Sequence, residues 1–150
     1  MQTSRDKQNT KSFTAEYVFD NADEYASDRY RELSTLYDAQ TIQHLERTGV
    51  ESGWHCLEVG GGGGSIATWM CERVGNEGRV LATDLGPRFL RTLSFHNLEV
   101  RQHDIRVDAL PECVFDLAHA RLVLMHLLGR EIALQRMIDS LKPGGSSSRP

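Results

Sequence analysis

The sequence predicts an α/β fold in which a doubly wound parallel sheet carries helices on both faces. The first observation is an apolar segment, residues 54–59, that leads into five consecutive glycines and then into a segment with helical spacing. The second is that strand-like and helix-like segments alternate from there to residue 141. Such alternation is typical of βαβ units with parallel strands. Right-handed crossovers then place helices on both faces of the sheet.

Each element follows from apolar spacing and from the residues that interrupt it. A helix is predicted over residues 32–47, with Leu33, Leu36, Tyr37 and Leu45 near one stripe and a glycine stop behind it. Short apolar runs predict strands, and segments with helical spacing or a Gly-Pro start predict further helices. The predicted strands are 54–59, 79–84, 98–102 and 114–119, and the further predicted helices are 65–74, 86–95 and 130–141.

Composition narrows the classes of function. The 150 residues suit one domain, and the net charge of −4 supplies no basic field for nucleic acid or for an anionic membrane surface. No apolar run approaches the roughly 20 residues that span a bilayer, and the first residues lack an apolar signal segment. The three cysteines have no metal-ligand spacing, so no metal site is predicted, and their odd number fits a reducing, cytoplasmic compartment.

The glycine run Gly60–Gly64 is the strongest local signal. Glycine lets the chain turn sharply and lets a ligand approach the backbone. The first N–H groups of the following helix have no partner inside the helix and carry partial positive charge, which favours a polar or anionic small molecule. A flexible linker is the alternative, but linkers are flanked by polar sequence rather than by a buried strand and an amphipathic helix.

Three carboxylates lie at or just beyond the ends of predicted strands, close to this loop. Asp84 ends the second strand, where a carboxylate accepts hydrogen bonds from ribose hydroxyls, and a simple turn Asp is the alternative. Glu58 lies just before the glycines, where an acid suits a ligand with an amino group; the alternative is a solvated Glu at a strand end. Asp104 follows the third strand, where it can accept from the amine of an adenine or cap a turn.

These segments together resemble the motifs of the class I S-adenosylmethionine-dependent methyltransferases, of the small-molecule, methyltransferase-domain type. Residues 57–64 resemble their motif I, and residues 79–84 resemble their second strand with its ribose-binding acid. Residues 103–105 resemble the adenine-side motif, 115–121 the fourth strand, and 141–145 the turn before the fifth strand. The resemblance implies a Rossmann-like fold, S-adenosylmethionine (SAM) as the cofactor, and methyl transfer to a small-molecule acceptor.

The resemblance also implies a role for each carboxylate. The glycine loop would hold the methionine part of the cofactor, with Glu58 and the carbonyls near Gly60 facing its amino group. Asp84 would take the ribose hydroxyls, Leu85 would flank the adenine ring, and Asp104 would accept from the adenine N6.

Aromatic and histidine residues complete the predicted site. In the family, an aromatic residue of the N-terminal segment often closes over the cofactor, and Tyr17 and Tyr25 are the candidates, with simple packing as the alternative. His119 and His126 follow the fourth strand near the expected substrate side. His126 is the candidate for a catalytic base, and packed or solvated histidines are the alternative. The predicted cofactor-binding residues are Glu58, Gly60, Gly62, Gly64, Asp84, Leu85, Asp104, His119 and Tyr17.

Composition divides the chain into four segments. Residues 1–12 predict a disordered lead, and residues 13–50 predict an N-terminal helical cap. Residues 51–145 predict an incomplete SAM-binding domain. Residues 146–150 read Ser-Ser-Ser-Arg-Pro, a tail of non-native appearance that is unsuited to a central strand.

The sequence therefore departs from a complete family member near its end. A complete member has seven strands, whereas the fifth to seventh are expected to be missing here, as in a C-terminally truncated chain. The fourth strand would then be an exposed edge through which chains could self-associate. Two alternatives stay open. The chain is an inactive fragment that at most binds the cofactor, or it is an NAD or FAD dinucleotide-binding domain, since residues 60–65 approximate the GxGxxG pattern.

Overall fold

The structure is a computed structural model that describes residues 25–148. Its strands are β1 His55–Val59, β2 Arg79–Asp84, β3 Leu98–Gln102, β4 Phe115–Ala120 and β5 Leu141–Ser148, and its helices are α1 Ala26–Arg47, α2 Ser65–Val74 and α3 Arg130–Ser140. Within these residues the strands form one parallel sheet in the order β3-β2-β1-β4-β5. The predicted α/β, Rossmann-like class is confirmed. The predicted lead, residues 1–12, lies outside the described residues.

The central strand β1 is covered on both faces because alternate side chains of a strand point to opposite sides. Leu57 packs in one apolar cluster with residues of α3, including Met137. Cys56 packs in another with residues of α1 and α2, including Leu45 and Met70. Helices therefore lie on both faces of the sheet, as predicted. Within residues 25–148, no helix has both the length and the apolar character needed to cross a membrane.

Helix α1 begins earlier than predicted and presents a different face to the protein. Its buried residues include Ala26, Thr41 and Leu45. Leu36 and Tyr37 of the predicted apolar stripe are 70% and 40% exposed, so that part of the prediction is wrong. The helix rests on the polar glycine loop as well as on the apolar sheet, and its contact face is therefore mixed in polarity.

The prediction of a helix over residues 86–95 is wrong. That segment contains only the 3₁₀ turn Leu90–Thr92, after which Leu93 is extended. Leu90 is fully buried. Side chains of Leu90 and Leu93 lie within 3.0 Å of where a Cβ on Gly61 or Gly64 would stand. Direct packing of these leucines on the glycine loop replaces the expected crossover helix.

The expectation that the fifth strand is missing is also wrong. Residues of β5 pair in parallel with β4, with Phe115 opposite Leu141 and Leu117 opposite Ser146. The register shift between these pairs places the Lys-Pro-Gly-Gly segment, residues 142–145, in a bulge. Strand pairing uses backbone groups, and an edge strand tolerates both polar side chains and a bulged Pro. No sixth or seventh strand occurs within residues 25–148.

The presence of β5 removes the basis for self-association through the fourth strand. Strand β4 lies between β1 and β5, so its backbone is paired on both sides. The edges of the sheet in the described part of the chain are β3 and β5.

Candidate functional site

The glycine loop needs glycine for both conformation and space. Gly60, Gly62 and Gly64 have φ values of +68°, +55° and +89°, which is the region that favours glycine. A Cβ on Gly60 would overlap the Cγ2 atom of Val123. The sharp turn predicted from the sequence is therefore present, and it is tightly packed from the β4 side.

The first backbone N–H groups of this loop are hydrogen-bonded within the protein. The N–H groups of Gly60 and Gly61 both donate to the carbonyl of Thr83, at 2.8 and 3.0 Å. The N–H of Gly62 donates to Asp84 Oδ2 at 2.9 Å. The loop is thus fixed to the end of β2. The helix N-terminus that begins at Ser65 provides the polar backbone groups available to a ligand.

Asp84 is buried, with 2% of its surface exposed, at the end of β2. Its Oδ2 accepts from Gly62, and its Oδ1 accepts from the N–H of Gly86 at 3.0 Å. The bond from the N–H of Gly86, two residues on, is the contact expected of a turn Asp, so the turn interpretation accounts for that bond. A carboxylate has about four lone-pair sites, so Asp84 is a multiple hydrogen-bond acceptor at the end of β2.

Glu58 is a buried residue rather than a solvated one. It is 3% exposed, and its register partner on β4 is His119, which is fully buried. His119 Nδ1 lies 2.5 Å from Glu58 Oε2 and donates to it. His119 Nε2 has no hydrogen-bond partner among the described residues. The structure thus brings the two residues together as a buried pair in which His119 holds the Glu58 carboxylate by a hydrogen bond.

A small cavity lies where α1, the glycine loop and the end of β4 meet. Its volume is about 40 Å³. It is lined by Tyr30, Leu33, Ser34, Glu58, Gly60, Gly61, Gly62, Gly63, Ser65, Ile66, Arg121 and Leu122. The predicted residues Glu58, Gly60 and Gly62 therefore share one cavity.

Tyr30 is the aromatic residue over the glycine loop, and the sequence reasoning missed it. Cβ atoms built on Gly62 and Gly63 would each lie 2.8 Å from Tyr30 atoms, and the Tyr30 ring meets that of Phe89 edge to face with centroids 5.4 Å apart. Of the two tyrosines considered, Tyr25 is 63% exposed at the start of α1, and Tyr17 lies outside the described residues. The available signal was helical spacing, because Tyr30 shares a face with the cavity residues Leu33 and Ser34.

Arg121 is a second site residue that the sequence reasoning missed. It immediately follows β4, and its Nη1 donates to Asp38 Oδ1 at 2.8 Å and to Thr41 Oγ1 at 3.2 Å on α1. The next residue, Leu122, has a φ of +59°, a conformation that strains a bulky side chain. In the sequence, only its position at the carboxyl end of a predicted strand could have indicated Arg121 as a site residue.

Asp104 is held by Arg106 rather than left open. Arg106 donates to it from Nε at 3.0 Å, from Nη2 at 2.9 Å and from its backbone N–H at 2.9 Å. These hydrogen bonds hold the pKa of Asp104 below its usual value. The bond from the backbone N–H of Arg106 is the contact expected of an Asp that caps a turn, which was the alternative interpretation of Asp104.

Two further predicted residues lie outside the cavity lining. Leu85 is 39% exposed just beyond β2, and its carbonyl accepts from Gln102 Nε2 at 3.0 Å. His126 ends the 3₁₀ turn Leu124–His126 and is half-buried. The structure therefore groups the glycine loop, Glu58 and Asp84, and it leaves Leu85, Asp104 and His126 apart from that cavity.

The chain belongs to the methyltransferase-domain family, whose sequence profile matches residues 57–147. It is 29% identical over 111 residues to the ubiquinone/menaquinone biosynthesis C-methyltransferase UbiE of Francisella tularensis subsp. novicida, which covers 69% of this chain and 44% of the relative. It is 30% identical over 118 residues to the UbiE protein of Pseudoalteromonas translucida, covering 73% and 46%. The predicted membership of the class I SAM-dependent methyltransferases is confirmed.

Solved structures agree on the fold. A SAM-dependent methyltransferase from Aquifex aeolicus superposes with a TM-score of 0.68 at 22% identity, covering 78% of this chain and 65% of that one. This similarity concerns the fold alone. The chain spans less than half the length of the two curated relatives.

Proposed function

We propose that this chain binds SAM at the glycine loop and carries the cofactor half of a methyl transfer to a small-molecule acceptor. The observation that carries the proposal is the joining of a tightly packed glycine loop to two buried carboxylates, Glu58 and Asp84, at the ends of β1 and β2. Ligands of open α/β folds bind at the carboxyl ends of the strands.

The adenosine part of the cofactor would lie beyond β2 and β3. Asp84 would accept from the ribose hydroxyls, since it is a buried carboxylate at the carboxyl end of β2. Leu85 offers an exposed apolar side chain for the face of the adenine. Asp104 would accept from the adenine N6 through lone pairs that Arg106 does not use.

The methionine part would lie at the cavity between the loop and α1. Glu58 would attract the ammonium group, and His119 would hold the Glu58 carboxylate from the β4 side. Ligand pockets usually measure about 300–1,000 Å³, whereas this cavity measures about 40 Å³. Tyr30 would therefore move from the loop to admit the cofactor and then close over it, which is the role that the family resemblance gave to Tyr17 or Tyr25.

The chemistry asks little of protein side chains beyond orientation. The sulfonium cofactor supplies the reactive methyl group, and the protein holds the acceptor, the methyl carbon and the sulfur in line. A base is needed only where the acceptor must lose a proton, and His126 is kept as the candidate for that case.

The acceptor proposed is a small molecule. The two curated relatives are C-methyltransferases of ubiquinone/menaquinone biosynthesis by name. Hydroxylated aromatic compounds that accept a methyl group at carbon are therefore the first acceptors to try.

The test is calorimetric titration of the chain with S-adenosylhomocysteine, with NAD as the control ligand and Asp84→Ala as the control protein. Micromolar binding of S-adenosylhomocysteine that is lost in Asp84→Ala, with none of NAD, supports the proposal. Preference for NAD would establish a dinucleotide-binding domain instead.

A second assay addresses turnover. Labelled methyl transfer from SAM to a panel of hydroxylated aromatics tests the enzymatic half of the proposal. Binding of S-adenosylhomocysteine without transfer to any acceptor of the panel would favour a fragment that only binds the cofactor.

A further inference from the structure

We propose that Arg121 recognises a ligand carboxylate, so that Arg121 and Glu58 together select ligands that end in a zwitterionic α-amino acid. The inference rests on the proposed function and adds a recognition residue to the same site. It starts from the charges of the cavity. Among the described residues that line it, Glu58 is anionic and Arg121 is cationic.

The sheet brings Glu58 and Arg121 to the same cavity. Glu58 stands opposite His119 in the β1–β4 register, and Arg121 lies two residues beyond His119. Both charged side chains line one cavity of about 40 Å³. A ligand that enters this cavity therefore meets a carboxylate and a guanidinium, and a ligand that carries an ammonium and a carboxylate matches that pattern.

The guanidinium of Arg121 is already oriented by α1. Its Nη1 bonds to Asp38 at 2.8 Å and to Thr41 at 3.2 Å, and its side chain is 14% exposed. A guanidinium has five N–H donors, so Nε and Nη2 contribute three more. Two parallel N–H donors match a carboxylate in bidentate geometry.

The helix N-terminus adds to the preference for an anion beside Arg121. Ser65 and Ile66, the first residues of α2, line the same cavity. The first N–H groups of a helix favour a negative group, and the effect is confined to the first turn. Glu58, held by His119, favours the positive group of the ligand. The cavity is therefore complementary to an amino-acid zwitterion.

A purely structural role for Arg121 makes a different prediction. If Arg121 served only to tie α1 to β4 through Asp38, then its loss would affect every ligand of the site alike. If it binds a carboxylate, its loss would affect only ligands that carry one. The nucleosides S-adenosylhomocysteine and 5′-methylthioadenosine separate these cases, because the second lacks the amino-acid group.

The experiment measures the Kd of both nucleosides for wild type, Arg121→Gln, Arg121→Lys and Asp38→Asn. We expect Arg121→Gln to weaken S-adenosylhomocysteine at least tenfold, as for a lost hydrogen bond to a charged group. Its affinity for 5′-methylthioadenosine should stay within about twofold, which also shows that the variant folds. Arg121→Lys should fall between, and Asp38→Asn should keep the wild-type ratio of the two affinities.

Two results would overturn the inference. Equal weakening of both nucleosides in Arg121→Gln would make Arg121 a structural tie, and unchanged affinity for S-adenosylhomocysteine would remove it from recognition. In both cases wild-type binding would leave the proposed function standing. A wild-type chain that bound neither nucleoside would overturn the proposed function and this inference with it.

Discussion

Glu58 of β1 and His119 of β4 face each other across adjacent strands, with His119 Nδ1 2.5 Å from Glu58 Oε2. Both side chains are buried. A buried carboxylate is unfavourable unless a partner compensates it. The parallel register supplies that partner, so the same strand pairing that builds the centre of the sheet also orients the acid of the candidate site.

Replacing His119 with Leu tests this pairing. We expect the free energy of unfolding to fall by about 3–5 kcal/mol, because Glu58 would be left as an uncompensated buried charge. Urea denaturation at neutral pH measures the change. The double variant Glu58→Leu with His119→Leu should recover most of the loss, since an apolar pair of similar volume needs no compensation. A double variant less stable than His119→Leu alone would contradict this account.

Asp84 and Asp116 form a matched pair that tests the role of Asp84 in ligand binding, with Asp116 as the control. Both carboxylates accept a backbone N–H, from Gly62 at 2.9 Å and from His55 at 2.8 Å, but they lie at opposite ends of the strands. We expect Asp84→Ala to weaken the binding of S-adenosylhomocysteine at least about a hundredfold, as for two lost hydrogen bonds to a charged group. Asp116→Ala should change that affinity less than about twofold, as measured by calorimetry. Equal losses in the two variants would indicate a general effect on the sheet.

The elements that the sequence predicted correctly are those with strong local patterns. The bounds of α2 and β2 match the prediction, because an apolar run is closed at each end by glycine or a polar turn. The same local reasoning placed Glu58 and Asp84 at the ends of β1 and β2 beside the glycine loop, where the structure has them. It was wrong over residues 86–95, where tertiary packing of Leu90 on the loop replaces a helix.

The residues that were missed depend on contacts between distant segments. Tyr30 lies over the glycine loop only because α1 crosses it, and the orientation of Arg121 depends on its hydrogen bond to Asp38 on α1. Strand β5 was missed because backbone pairing with β4 outweighs the poor strand preference of its serines. The pairing of His119 with Glu58 follows from strand register, which the sequence alone did not specify.

Gly60 and Gly49 separate conformational strain from steric overlap. Their φ values are +68° and +86°, so alanine is strained at both positions. A Cβ on Gly60 would overlap Val123, whereas nothing lies within 4 Å of a Cβ on Gly49. We expect Gly60→Ala to lower the free energy of unfolding by about 1–3 kcal/mol more than Gly49→Ala, the usual effect of overpacking. Chemical denaturation measures both, and equal losses would exclude the overlap as the cause.

Acid stability should depend on Arg106. Its hydrogen bonds lower the pKa of Asp104 from 3.8, so the folded state favours the carboxylate. That contribution is present above the unfolded pKa and is lost as the pH falls through the lower folded pKa. We expect the stability of wild type to fall more steeply than that of Arg106→Gln from about pH 4 downwards. Arg101→Gln, which removes an exposed pair with Glu99, is the control and should follow wild type. Superimposable curves for the two variants would contradict the prediction.

The three cysteines should differ sharply in reactivity. Burial raises the pKa of Cys56 to about 12 and that of Cys71 to about 11, whereas Cys113 is exposed. The thiolate is the reactive form, so we expect one thiol to react rapidly with a disulfide reagent near pH 8 in the native protein and all three in denaturant. Cys113→Ser should abolish the rapid native reaction, and rapid native labelling of that variant would contradict the burial of the other two.

Because the folded pKa values of Cys56 and Cys71 are raised above the unfolded value of 9.0, the stabilising contribution of the neutral thiols is present below that pH. This stabilising contribution is lost as the pH rises towards 11. The free energy of unfolding should therefore decline over this alkaline range in wild type and in Cys113→Ser alike.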